Sequence, residues 1–161
     1  MIAFSEALEI VLGLAQRSEI EEVSFDESVG RVLAKDLHSD INMPPFNKSA
    51  MDGYACRKAD LHLELELVEV IQAGAAPKRK VGPGQCSQIM TGAMVPDGAD
   101  TVIMVEQSQK TAGGMILFTG DRTNPNICIL GEDVKENDLV LEAGTLIGVR
   151  HVPVLATIGA T

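Results

Sequence analysis

The sequence has no tryptophan, one tyrosine and only four phenylalanines among its 161 residues. A packed interior must therefore be made from Val, Ile, Leu, Ala and Met. Positive charge is also scarce: 13 Lys and Arg stand against 23 Asp and Glu, a formal net charge of −10. The one basic cluster, Lys78-Arg79-Lys80, sits in a Gly/Pro-rich turn. Binding to DNA or RNA by counterion release needs many cations on one surface, so that class is excluded. An acidic surface repels anionic membranes. No apolar run approaches the ~20 residues of a membrane helix, and the opening MIAFSEALEI lacks the basic segment of a secretory signal. Cys56, Cys86 and Cys128 are odd in number and widely spaced, which forms neither a zinc motif nor a disulfide framework. A reducing cytoplasm is the expected location.

What remains is ordinary for a globular chain: 45% hydrophobic and 22% charged residues. The length fits one large domain or two small ones, with a core sufficient to fold without disulfides or a structural metal. Residues 4 to 17, FSEALEIVLGLAQR, read as a helix with Ser5 as N-cap, early glutamates, a broad apolar face and Arg17 at its end. Residues 18 to 43 read as strands and turns, with Val23 and Phe25 alternating with polar residues. LHLELELVEVI, from Leu61, alternates with period two and predicts a half-buried strand. Its doublet Leu67-Val68 shifts the phase as a bulge does. TVIMV (101 to 105) predicts a short buried strand, and Gly113-Gly114 a hairpin tip. VKENDLVLEAGTLI predicts strand, turn, strand; the stretch from about Val149 to Ile158 is helix-compatible. One or two helices and about eight short strands make the fold class mainly β with few helices (α+β).

Three places carry residues suited to chemistry. In PPFNKSAMDGYAC, Pro44-Pro45 excludes helix. Ser49 and Asp52 offer short oxygen-bearing side chains there, and Gly53 permits a close approach or a positive φ. The same run also reads as a Pro-rich turn entering a strand. Thr91 of MTGA ends a strand before a glycine, which also reads as a plain strand-to-turn transition. Gly131-Glu132-Asp133 pairs two carboxylates that could hold a divalent cation, or form a solvated turn. His38, His62 and His151 stand apart, and no Ser-His-Asp set, Walker loop or dinucleotide-binding glycine pattern occurs.

The order and wording of PPFNKSAMDGYAC, IMTGAMVPDGADTVIMVEQ, NICILGEDV and AGTLIG closely resemble the molybdopterin molybdotransferase family, MoeA in bacteria and the E domain of gephyrin. The resemblance runs from the first helix to the last residue. It implies insertion of molybdenum from molybdate into adenylylated molybdopterin with release of AMP, dependent on Mg2+. It implies a homodimer supplied by an upstream molybdopterin adenylyltransferase. Position by position, Asp52, Thr91 and Asp133 match the family's functional residues. Asp52 and Asp133 become the expected metal ligands, with Ser49 and Lys48 lining the cleft beside them. The carboxylates would repel a pyrophosphate and a molybdate dianion unless a cation stood between, while Thr91 would donate to an oxyanion without adding charge.

The resemblance further implies an N-terminal helix (1–17) and an elongated discontinuous domain (18–43 and 134–161). Inserted in the latter would be a β-barrel-like domain (44–133) bearing the motifs. TGDEL-type and GGVSVG-type segments are absent. The family's pterin-binding α/β domain and C-terminal β domain are therefore expected to lie outside this chain, leaving it inactive alone and the first helix's apolar face at Leu8, Val11 and Leu12 exposed or paired with another chain. Two departures stand out. Asn47-Lys48 replaces the family's common Asp-Asn, and Cys128 occupies a place often held by Arg. The second reading is a non-catalytic dimerisation or interaction module of the gephyrin kind, which would need the fold but none of Asp52, Thr91 and Asp133. The third, a stand-alone metal-dependent phosphohydrolase, has carboxylates but no phosphate-cradling loop.

Overall fold

The computed structural model describes residues 2–14 and 18–160. They form a mostly β structure with two α-helices and ten short strands among the described residues. Two compact units appear, Met1–Leu37 with Leu141–Thr161, and His38–Val140. The family-based expectation put the crossings six or seven residues further into the second unit. Near the expected crossings the two stretches bond to each other, Met43 N–H donating to Val134 C=O and Asp133 N–H to Met43 C=O.

In the first unit, α1 spans Phe4–Gly13 with Ala3 as N-cap and no side-chain cap bond. Ser5 thus lies inside the first turn, not at the cap. The helix gives out at Gly13, where backbone entropy opposes propagation; the predicted closing Arg17 lies outside the described residues. None of the residues of α1 is buried, and Phe4, Ile10, Val11 and Leu12 are all more than half exposed. The alternation at Val23 and Phe25 does not make a strand. It runs into a 3-10 turn, Phe25–Glu27, which the Ser28 hydroxyl closes by donating to Phe25 C=O. Residues 30–33 pair with 144–147 instead, through an isolated bridge between Val32 and Leu146. The helix-compatible C-terminal stretch is a 3-10 turn, Val149–His151, leading into α2, Val152–Thr157.

The chain enters the second unit through β1 (Leu37–His38), which pairs with β10 (Leu139–Leu141) on the way back. The main sheet is mixed and six-stranded. Its members are β3 (Gly53–Cys56), β4 (Glu64–Ile71), β5 (Gln85–Ile89), β6 (Thr101–Met104), β7 (Ser108–Lys110) and β8 (Ile116–Phe118), in the order β6-β3-β5-β4-β8-β7. A small ladder joins β2 (Lys48–Ser49) to β9 (Ile127–Cys128). Period two distributes the core over both faces. Ala55, Ile71, Ile89 and Val102 meet on one face; Cys56, Leu65, Cys86, Ile103 and Ile116 meet on the other.

β4 begins at Glu64, three residues later than its alternation predicts. A 3-10 turn, Lys58–Asp60, runs on into a further turn through 61–63, with Leu63 N–H donating to Asp60 C=O, and the Asp60 carboxylate accepts from Gly84 N–H at 2.9 Å. The register against β5 slips between Leu67 and Glu69, as the Leu67-Val68 doublet predicts. The β7–β8 hairpin turns at Gly113-Gly114, and TVIM supplies β6, buried at Thr101 to Ile103, while Val105 is exposed and opens a 3-10 turn. Cys56 and Cys86 face each other across the β3–β5 ladder as free thiols. Burial pushes each up to about 12, so neither is a nucleophile.

Candidate functional site

Asp52 immediately precedes β3, and Thr91 follows shortly after β5. These strands run antiparallel with Gly53 opposite Ile89, so the start of one lies beside the end of the other. Two residues 39 apart in sequence meet there. Thr91 N–H and Thr91 Oγ1 both donate to Asp52 Oδ1, each at 2.7 Å. The surrounding backbone is equally tied: Val105 N–H donates to Asp52 C=O at 3.1 Å, Met90 N–H to Ile71 C=O, and Gly92 N–H to Ser49 C=O. Gly92 takes φ +81°, a conformation that suits glycine at the turn after Thr91.

The electrostatics follow from those bonds. The Thr91 backbone N–H, then its hydroxyl, hold the Asp52 carboxyl below the usual value of 3.8, against a smaller opposing effect of burial. The folded state thus binds a proton less readily than the unfolded chain does. Whatever the Asp52–Thr91 link adds to stability is fully present above the unfolded pKa and is lost as pH falls through the lower folded one. An NMR titration should place the midpoint of the Thr91 amide shift below 3.8. A midpoint at or above that value would contradict the geometry.

The other candidates fall as follows. Ser49 is buried, 1% exposed. Its Oγ donates to Met51 C=O at 2.6 Å and accepts from Met51 N–H at 3.3 Å, bracing the loop that carries Asp52. Lys48 lies in β2 directly opposite Cys128, so the two departures from the family pattern are cross-strand neighbours. Asn47 Oδ1 accepts from Leu130 N–H at 2.8 Å, fastening this loop to the segment before Asp133. In that segment Gly131 has φ +68° and Glu132 Oε2 accepts from Ile129 N–H. Asp133 is exposed, its N–H bonded to Met43 C=O, with no side-chain hydrogen bond found among the described residues. A hydrogen bond to Glu132 is the main influence raising the Cys128 thiol, while Lys48 pulls it down. Phe46 is half-buried and belongs to neither core cluster; Tyr54 packs on the second one.

Thr91 does not present a free donor. Its hydroxyl has one proton, and that proton goes to Asp52. Its task in this arrangement is to fix the carboxylate with Oδ1 saturated, leaving Oδ2 without a partner among the described residues. Among those residues no group of three or more His, Cys, Asp or Glu lies close enough to hold a metal. Magnesium does not require one, since it is commonly held by one or two carboxylates together with substrate oxygens and water. An ionised Asp52 with an open oxygen fits that mode of binding.

Beside Asp52 lies a cleft of about 160 Å³, lined by Asp52, Gly53, Tyr54, Gln88, Ile89, Met90 and Val105. Neither Gln88 nor Val105 is a candidate site residue from the sequence, because neither side chain carries the chemistry of a motif. Tyr54 of β3 and Gln88 of β5 are cross-strand partners, and that register also brings Asp52, just before β3, beside the end of β5.

Residues 2–159 match the family model described as the MoeA N-terminal region, domain I and II. The chain is similar to a molybdopterin molybdenumtransferase of Haemophilus influenzae, 41% identical over 145 residues. That match covers 88% of this chain and 36% of the relative. It is likewise similar to the Bacillus subtilis protein of the same name, 34% identical, covering 98% of this chain and 39% of that one. A crystal structure of the molybdopterin biosynthesis moeA protein from Pyrococcus horikoshii OT3 superposes with a TM-score of 0.87 at 34% identity. It covers 99% of this chain and 44% of that one. The chain thus spans about two fifths of the length of its relatives. No helix among the described residues is long and apolar enough to cross a membrane.

Proposed function

This chain belongs to the MoeA N-terminal family, and from that premise we propose that it is one part of a molybdopterin molybdenumtransferase, inserting molybdate into adenylylated molybdopterin and releasing AMP. The observation that carries the reading is the Asp52–Thr91 pair, an ionised, rigidly held carboxylate at a strand end with one open oxygen. Asp52, with Asp133, would hold Mg2+ in this reading. When bound, the cation offsets the repulsion between carboxylates and phosphoryl oxygens and stabilises charge on the departing phosphate. The chain's own residues do the positioning. Thr91 orients Asp52, Ser49 braces the loop that carries Asp52, and Lys48 offers a cation to the anionic substrate from β2.

The finer points of organisation are part of the same proposal. The second unit acts as a barrel-like domain inserted in an elongated discontinuous one. A homodimer completes the site, in the cytoplasm, downstream of a molybdopterin adenylyltransferase, and this chain alone is inactive. Support for a partner surface comes from α1, whose apolar face is open to solvent. The presence of Asp52, Thr91 and Asp133 favours a transferase over a purely structural interaction module.

The test exchanges residues 2–159 into the matching region of the Haemophilus influenzae relative. The chimera should release AMP from adenylylated molybdopterin only when molybdate and magnesium are both supplied. A folded, dimeric chimera that consumes no adenylylated pterin would reject the assignment.

A further inference from the structure

We propose that Asn126 is a positioning residue for Asp52, clamping the loop that carries the carboxylate to the outer edge of β6. This deepens the transferase reading and rests on it only for what Asp52 does. Asn126 takes φ +52°, the left-handed conformation that asparagine adopts more readily than most residues with a side chain. That turn lets one residue bond two elements at once. Its carbonyl accepts from Ala50 N–H at 2.9 Å, close before Asp52 in the chain. Its side-chain Nδ2 donates to Val102 C=O at 2.8 Å and to Thr123 Oγ1 at 3.2 Å.

β6 stands at one end of the main sheet with β3 as its strand neighbour, so its outward backbone groups need partners from elsewhere. Pro125 C=O accepts from Val102 N–H at 2.9 Å, and the Asn126 amide supplies the matching donor to Val102 C=O. Residues 125 and 126 thus stand in for one more strand. Covering an edge would be task enough for an asparagine, but the path of the bonds gives it a second one. Val105, just past the end of β6, donates its N–H to Asp52 C=O at 3.1 Å. A closed circuit results, from Asp52 to Val105, along β6 to Val102, across Asn126 to Ala50, and through Met51 back to Asp52. The circuit fixes where the Asp52 backbone sits, while Thr91 fixes how its carboxylate points. From Asn126 the chain enters β9, where Ile127 pairs with Ser49, and runs on to Asp133. The clamp therefore also ties the Asp52 loop to the segment bearing the second proposed metal ligand.

Two variants separate the clamp from the fold. Asn126→Gly keeps the positive φ and removes the amide; Asn126→Asp keeps the shape and sets an acceptor against Val102 C=O. Amide hydrogen exchange of the 161-residue chain, read by NMR, should show Ala50 and Thr91 exchanging about tenfold faster in either variant, with the amides of β5 changing far less. Ile116→Val, a core change on β8 outside this circuit, should lower Tm without singling out Ala50 and Thr91. In the chimera, Asn126→Gly should lower kcat about tenfold and raise the magnesium concentration needed for half the maximal rate, leaving KM for the adenylylated pterin within about twofold. Ile116→Val should move none of these. The proposal is overturned if Thr91 exchange in a folded variant stays within about twofold of the parent, or if every amide accelerates equally. It is equally overturned if an active chimera keeps its kcat with Asn126→Gly, or if neither variant folds, which would make Asn126 a folding residue alone. A parent chimera that releases no AMP rejects the transferase reading, and the exchange result still decides the role of Asn126.

Discussion

Replacing Asp52 by Ala in the chimera should reduce kcat about 10²–10³-fold while leaving the fold intact. The carboxylate is exposed and, among the described residues, bonded only to Thr91, so its removal opens no cavity and strands no buried charge. Its proposed work lies in holding a cation against developing phosphate charge, an effect of several kcal/mol. Thr91→Val should be milder, about tenfold. It removes the hydroxyl bond but keeps the Thr91 backbone N–H on Oδ1. The same substitution should raise the Asp52 pKa toward its ordinary value. A kcat for Asp52→Ala within threefold of the parent would remove Asp52 from the mechanism, whatever the stability result.

The second large effect is on stability. Gly53 sits where β3 passes β6, and a Cβ there would stand 1.9 Å from the Ile103 carbonyl oxygen and 2.8 Å from its carbon. Both are backbone atoms, so no side-chain rotation relieves the clash. The ladder must open at Gly53 and Met104, which are paired in register. Gly53→Ala should therefore destabilise the chain by ~3 kcal/mol, at the upper end for overpacking, and lower Tm by roughly 10 °C for a chain of this size. Because Gly53 adjoins Asp52 and lines the cleft, the Thr91 amide should shift as well. Equal melting temperatures for parent and variant would mean that the two strands are not this close.

Much of the β architecture is written locally. LHLELELVEVI carries its period and its bulge in the order of its own residues, and the Gly113-Gly114 tip follows from turn chemistry alone. Local pattern failed where a distant partner intervened. Asp60 reaches Gly84 where β4 is expected to have begun, and residues 30–33 find their partners more than a hundred residues away, at 144–147.

The sequence by itself determined the family, through strings that only a whole set of motifs makes specific, and it pointed to Asp52, Thr91 and Gly53 as residues of interest. It also determined that Gly53 serves a close approach or an unusual φ; only the structure showed the former. Tertiary structure alone decided that Thr91 binds Asp52 with both its donors, that Ser49 turns inward, that Lys48 faces Cys128, and that Gln88 and Val105 complete a cleft. The physical reason is range. Periodicity, turns and bulges depend on neighbours a few residues away, whereas these contacts depend on strand register, which the packing of both sheet faces fixes collectively.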